Sequence, residues 1–171
     1  VAYLVRELHA DAGIVISASH NPYEYNGIKF FNSEGFKLDD AIEDEIEAIA
    51  TGRKEIPEHC LSGAELGRIV MTGKPAAALY EEFVRSTAGV RLDGMKIVID
   101  CANGAASALA KNVFSGLGAD VTVICSDPDG ININDGCGST HPEKLCERVR
   151  QEKADLGLAF DGDADRLIAV D

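Results

Sequence analysis

"MKIVIDCANGAASALAKNVFSGLGADVTVIC", residues 95–125, decides the fold. Residues 95–100 are an apolar, β-branched run of the kind that fills a buried strand. Residues 102–119 read as a turn followed by an Ala-rich helix, and 120–125 as a second strand. The rhythm continues downstream. "STHPEKLCERVRQEKA" (139–154) reads as a helix, and Thr140 with Glu143 three residues on makes a capping-box pattern at its start. "DLGLAF" (155–160) and "LIAV" (167–170) are further strands, separated by a six-residue turn. Strands alternating with helices imply an α/β fold with mixed, largely parallel sheets and flanking helices.

Upstream of residue 95 the pattern is less regular. Residues 2–9 carry apolar positions at helical spacing, and Gly13 sits where that helix would end. Ile14, Val15 and Ile16 predict a buried, central strand, and a second strand is expected near 27–32. "NSEG" (32–35) reads as a tight turn. Residues 38–52 predict a helix with acidic residues crowding its first half, Ile42, Ile46 and Ile49 along one face, and Gly52 as its stop. A mixed connector over 53–74 precedes a helix over 74–89, with Pro75 acceptable in the first turn. The connector supplies the expected division, with one domain over 1–74 and a second over 75–171. The chain starts at Val1 within a helical pattern and stops at Asp171 just after a strand, so it is expected to be a piece of a longer protein.

The bulk properties narrow the partners. The net charge is −13 over 171 residues, which argues against a nucleic-acid backbone or an anionic membrane as partner. A small anionic substrate remains compatible where a local cation reverses the field. No apolar run approaches a membrane span. Five cysteines, Cys60, Cys101, Cys125, Cys137 and Cys146, include no Cys-x-x-Cys pair. Their odd count and spacing suit reduced thiols and a cytoplasmic location better than a disulfide framework. A metal held by Cys137, His141 and Cys146 is conceivable but disfavoured by the spacing.

Two stretches carry chemistry. In "DGDADR" (161–166), Asp161, Asp163 and Asp165 alternate in a turn between apolar strands. Three carboxylates converging there make a hard-cation site that suits Mg2+, with phosphate or water completing the shell. Arg166 follows at once, and a guanidinium binds oxyanions through paired hydrogen bonds. An EF-hand would want glycine where Arg166 stands, and "GRIVMTGKP" (67–75) fails as a P-loop by one residue and by Pro75. A strand ending in Asp-x-Asp also fits an aspartate-nucleophile phosphatase of the haloacid-dehalogenase type, with Asp161 attacking phosphorus and Asp163 as acid/base. The other stretch is "SASHNP" (17–22), which follows the Ile14–Ile16 strand. It lacks the Gly-x-Ser-x-Gly elbow of a hydrolase. A serine on a rigid turn could instead carry a phosphate facing magnesium, with His20 and Lys29 as donors or proton carriers.

Together, "GIVISASHNPYEYNGIKFF", "DCANGAAS", "DGININDGCGSTHPE" and "ADLGLAFDGDADR" resemble the α-D-phosphohexomutase superfamily, and within it the bacterial phosphoglucosamine mutase branch rather than the phosphomannomutase/phosphoglucomutase branch. The resemblance covers nearly the whole chain. It implies that Ser19 is the phosphorylated serine and that its phosphate completes a Mg2+ site made by Asp161, Asp163 and Asp165. It implies His20 and Lys29 at the reaction centre and Arg166 in contact with phosphate or substrate. The implied reaction interconverts glucosamine 6-phosphate and glucosamine 1-phosphate through a 1,6-bisphosphate, feeding UDP-N-acetylglucosamine synthesis. Such enzymes have four domains, and this chain resembles the later part of the first and most of the second. Two expectations follow from that division. The chain alone should not turn over substrate, and copies should self-associate through exposed sheet edges.

Overall fold

The computed structural model describes residues 1–55, 61–71 and 73–171, with side chains excepted at 73–75. Cys60 and part of the 53–74 connector lie outside the described residues. The chain divides into two compact units: residues 1–15 with 29–76, and residues 16–28 with 77–171. The serine turn thus clusters with the second unit, although most of its sequence neighbours belong to the first.

The second unit is built on a four-stranded sheet. Its strands are β3 (Lys96–Asp100), β4 (Asp120–Ile124), β5 (Leu156–Phe160) and β6 (Leu167–Val170), in the order β4-β3-β5-β6. β3 pairs in parallel with β4 and with β5, whereas β6 returns antiparallel along β5. Crossover segments make the parallel pairs, and the short 161–166 turn makes the antiparallel one. Residues of β3 alternate between two cores. Ile97 and Ile99 pack with Leu158, Ala106 and Ala110 under helix α4 (Ala110–Gly116). Val98 faces Leu145 and Val149 of helix α5 (Glu143–Glu152) and Ala159. Burial on both faces explains why β3 reads as a continuous apolar run. Leu145 and Ile97 are almost wholly buried, so truncating either to alanine should cost about 2–5 kcal/mol.

Two details differ from expectation. The Ala-rich segment forms a 3-10 turn, Ala105–Ala108, before the seven-residue α4 rather than one long helix. Helix α5 begins only after Pro142, with no side-chain cap, so Thr140 and Glu143 do not form a capping box. Thr140 ends a separate 3-10 turn, Gly138–Thr140, and Pro142 sets the start of the helix. A capping box does form between Ser62 and Glu65, around a single 3-10 turn.

In the first unit, helix α1 (Ala2–Glu7) ends before residue 9, where His9 adopts a left-handed φ of 51°. Gly13 is therefore not the helix stop. It is a buried residue of β1 (Ala12–Ser17), and a Cβ there would lie 2.5 Å from Val5 Cγ2. β1 pairs with β2 (Gly27–Asn32) in a two-stranded sheet. The strand was expected to be central and buried, yet Ile14 is 57% and Ile16 71% exposed. Among the described residues β1 has one pairing strand and no layer over that face, so β-branched character alone does not bury it. The Asn32 turn forms as expected: its side-chain oxygen accepts the N–H groups of Glu34 and Phe36. Helix α2 (Asp40–Ala50) has half-buried Ile46 and Ile49 and an exposed Ile42. Its acidic face is solvated and pairs Glu43 with Lys37, Glu47 with Arg53 and Glu45 with Lys54. Helix α3 (Gly73–Thr87) lies mostly in the second unit.

Candidate active site

The C-terminal ends of parallel strands are where α/β sheets hold ligands, and β5 delivers Asp161 there. Residues 161–166 turn the chain from β5 into β6, with Ala164 in the left-handed region at a φ of 60°. Asp161 is fully buried. Its Oδ1 accepts the Arg166 N–H at 3.2 Å, and its main-chain carbonyl accepts the Ala164 N–H at 3.0 Å. Its Oδ2 is also buried and accepts no hydrogen bond among the described residues. Carboxylate oxygens of Asp161, Asp163 and Asp165 all lie within 4.8 Å of one another, running from buried to exposed. Burial is the main cause that raises the Asp161 carboxyl above the ordinary range. The Arg166 N–H opposes that rise, and the nearby carboxylates of Asp163 and Asp165 add to it.

Such a donor set fits Mg2+. Three hard oxygens converge, and a buried carboxylate oxygen with no donor of its own is costly until a cation answers it. Arg166 does not fill that role. Its Nε stands 3.9 Å from both Asp161 Oδ2 and Asp165 Oδ1, too far for a hydrogen bond, and its side chain is 55% exposed.

The serine turn docks on the same loop. Ser17 Oγ accepts the Ser19 N–H at 2.9 Å, and the Ala18 carbonyl accepts the Asn21 N–H at 2.9 Å. These local bonds hold Ser19 at a φ of 53°, a region that costs a non-glycine residue about 1–2 kcal/mol. The Ser19 carbonyl accepts the Gly162 N–H at 3.1 Å and the Asn134 side-chain N–H at 2.8 Å. The same Asn134 nitrogen donates to the Asn21 carbonyl at 2.9 Å. Gly162 admits this approach because it has no side chain; a Cβ there would overlap the Ser19 carbonyl oxygen and crowd Ile133 and Asn134. His20 is half-buried, and its Nδ1 is buried without a hydrogen-bond partner among the described residues.

Of the residues singled out from the sequence, Ser19, His20, Asp161, Asp163, Asp165 and Arg166 share the second unit, and the serine turn and aspartate loop are joined by main-chain bonding. Lys29 is half-buried in β2 and belongs to the first unit. Neither Asn134 nor Gly162 stands out in the sequence as a functional residue. "NDG" at 134–136 reads as a turn, and nothing local reveals that its first side chain fastens a loop 115 positions earlier. The cysteine arrangement also differs from the one weighed above. Cys137 lies near Cys125 and Asp100, while His141 is exposed beyond its 3-10 turn. Cys101, Cys125, Cys137 and Cys146 form no disulfide. Burial pushes the Cys101 thiol up to about 12, with the Asp100 charge adding to the effect. Among the described residues no helix is long and apolar enough to cross a membrane.

Residues 1–56 match the family described as phosphoglucomutase/phosphomannomutase, alpha/beta/alpha domain I, and residues 78–171 match alpha/beta/alpha domain II of the same family. The chain belongs to the phosphoglucomutase/phosphomannomutase family. Its whole length is 58% identical to the phosphoglucosamine mutases of Pelotomaculum thermopropionicum and of Clostridium acetobutylicum, spanning 38% of the length of each. Among solved structures, a phosphoglucomutase/phosphomannomutase family protein from Burkholderia thailandensis superposes with a TM-score of 0.67 at 30% identity. That match covers 94% of this chain and 33% of the other.

Proposed function

We propose that the chain is the phosphoryl-donor and metal-binding part of a phosphosugar mutase that interconverts glucosamine 6-phosphate and glucosamine 1-phosphate. The observation that carries this reading is the hydrogen bond from the Gly162 N–H to the Ser19 carbonyl. It sets a rigid serine turn against a loop of three carboxylates, an arrangement suited to a phosphorylated hydroxyl beside a cation. The 58% identity to phosphoglucosamine mutases supports glucosamine over other hexoses.

Asp161, Asp163 and Asp165 would hold Mg2+, with the Ser19 phosphate as a further ligand. Bound there, the ion would neutralise charge developing on the transferring phosphoryl group. Ser19 Oγ would carry the phosphoryl group. When the C1 hydroxyl oxygen of glucosamine 6-phosphate bonds to phosphorus, the Oγ–P bond breaks, the sugar hydroxyl gives up its proton and Oγ regains one. The product is a 1,6-bisphosphate. Transfer of its 6-phosphoryl group back to Oγ leaves glucosamine 1-phosphate and restores phosphoserine. His20 would relay the proton, and Lys29 and Arg166 would neutralise phosphate oxygens.

The division into domains over 1–74 and 75–171 belongs to this reading, as do a cytoplasmic location and a role in supplying UDP-N-acetylglucosamine. Because the chain spans 38% of those relatives, groups that choose and orient the sugar would lie outside it. The 171 residues alone should therefore give no turnover. The test is phosphate mapping on the whole protein that carries them, incubated with Mg2+ and glucosamine 1,6-bisphosphate. Phosphate on the Ser19 peptide, transferable to glucosamine 6-phosphate and lost in Ser19→Ala, is expected. Phosphate on Asp161, or release of free phosphate with no labelled serine, overturns the reading in favour of an aspartate-nucleophile phosphatase.

A further inference from the structure

We propose that Asp100, Cys125 and Cys137 form a second cation site in this chain, one that takes Zn2+ and is separate in its ligands from the aspartate triplet. Asp100 ends β3, Cys125 follows β4, and Cys137 precedes the Gly138–Thr140 turn. One oxygen or sulfur from each lies within 4.8 Å of the others. Tetrahedral zinc needs ligand atoms about 3.5–4 Å apart, which small side-chain rotations would supply.

The second observation is independent of that proximity. Asp100 is fully buried, and its Oδ1 accepts the Ala102 N–H at 2.9 Å. Its Oδ2 is buried and accepts no close hydrogen bond among the described residues, and the Cys125 thiol stands beside the carboxylate only as a weak donor. A carboxylate oxygen in that state is expensive to bury, and a cation at the cluster would answer it. Cys137 is likewise fully buried, and Asn103 Nδ2 stands 3.9 Å from its sulfur, as a donor that would orient a thiolate ligand.

The ligand chemistry selects the ion. Two thiol sulfurs with one carboxylate favour zinc over magnesium, which prefers oxygen alone. Lys144 lies close enough to act on both thiols, and its charge opposes a cation. Burial holds both thiols above the ordinary range, Cys137 up to about 12, so zinc binding would release their protons. A cavity of about 300 Å³, lined by Ile124, Cys125, Lys144, Glu147, Arg148 and Gln151, borders the cluster on the Cys125 side. Zinc here would tie the segment carrying Asn134 to the ends of β3 and β4.

The test is titration of the reduced whole protein that carries these residues with Co2+ alone, followed by displacement with Zn2+. Thiolate ligation is expected to give a near-ultraviolet sulfur-to-cobalt band that saturates at one equivalent and is bleached by Zn2+. Binding at the aspartate triplet gives no such band, so the two sites are read separately. Cys125→Ser, altering the least buried of the three ligands, should abolish the band while leaving the circular dichroism of the fold intact, and Cys146→Ser should keep it. Absence of the band in the reduced wild-type protein, or its survival in a folded Cys125→Ser variant, overturns the proposal.

Discussion

A single side-chain nitrogen of Asn134 donates to two carbonyls of the serine turn, those of Ser19 at 2.8 Å and Asn21 at 2.9 Å. Each bond to a part-buried acceptor is worth about 1 kcal/mol net. Asn134 itself sits at a φ of 58°, which glycine adopts freely and alanine only at a cost. Asn134→Gly therefore isolates the lost amide and should destabilise the chain by about 2 kcal/mol, lowering Tm by roughly 4–8 °C. Asn134→Ala should cost about 1 kcal/mol more through backbone strain. Equal melting temperatures for the two variants would show that the strain is relieved elsewhere.

Gly162 makes the closest approach possible between the aspartate loop and the serine turn. Gly162→Ala forces its new methyl group onto the Ser19 carbonyl, which is main chain and cannot rotate aside. The expected cost is about 1–3 kcal/mol. Amide hydrogen exchange should rise at Gly162-loop positions and at Asn21. Gly67→Ala, where nothing lies within 4 Å, is the matched control and should leave Tm unchanged.

Asp161 makes cation binding depend on pH. Its carboxyl is raised by burial, so on acidification it takes up a proton earlier than an ordinary carboxylate. Mg2+ affinity of the chain should therefore be lower at mildly acidic pH than at neutral pH, before an ordinary aspartate, with its usual value of about 3.9, takes up a proton. For the metal-free fold the sign is opposite. Between the unfolded and folded values the native state holds a proton that the unfolded state has lost, so stability falls as pH rises through that window. Added Mg2+ should remove this loss. Calorimetric titration at the two pH values and thermal melts with and without Mg2+ check both arms; Mg2+ affinity unchanged at the lower pH would contradict the assignment.

The second unit was legible because its strands are buried on both faces, so Ile97, Val98 and Ile99 advertise themselves without ambiguity. The Asp161–Arg166 turn was legible for a different reason, since three alternating carboxylates in one hairpin have few uses other than a cation. Ile14 and Ile16 misled because β-branching reports strand preference and says nothing about what covers the strand. Thr140 and Glu143 had the right spacing for a cap, but Pro142 between them resets the start of α5. Asn134 and the Asp100–Cys125–Cys137 cluster were invisible because their partners are distant in sequence and meet only at the ends of the sheet strands.

The serine turn is fastened from behind. Both bonds that fix Ser19 to the aspartate loop and to Asn134 end on its main-chain oxygen, and Ser17 holds its main-chain nitrogen. The anchorage is thus blind to what the hydroxyl carries. A phosphate could be gained, lost and regained at Oγ without the turn letting go, and alanine in place of Ser19 should dock as well as serine does.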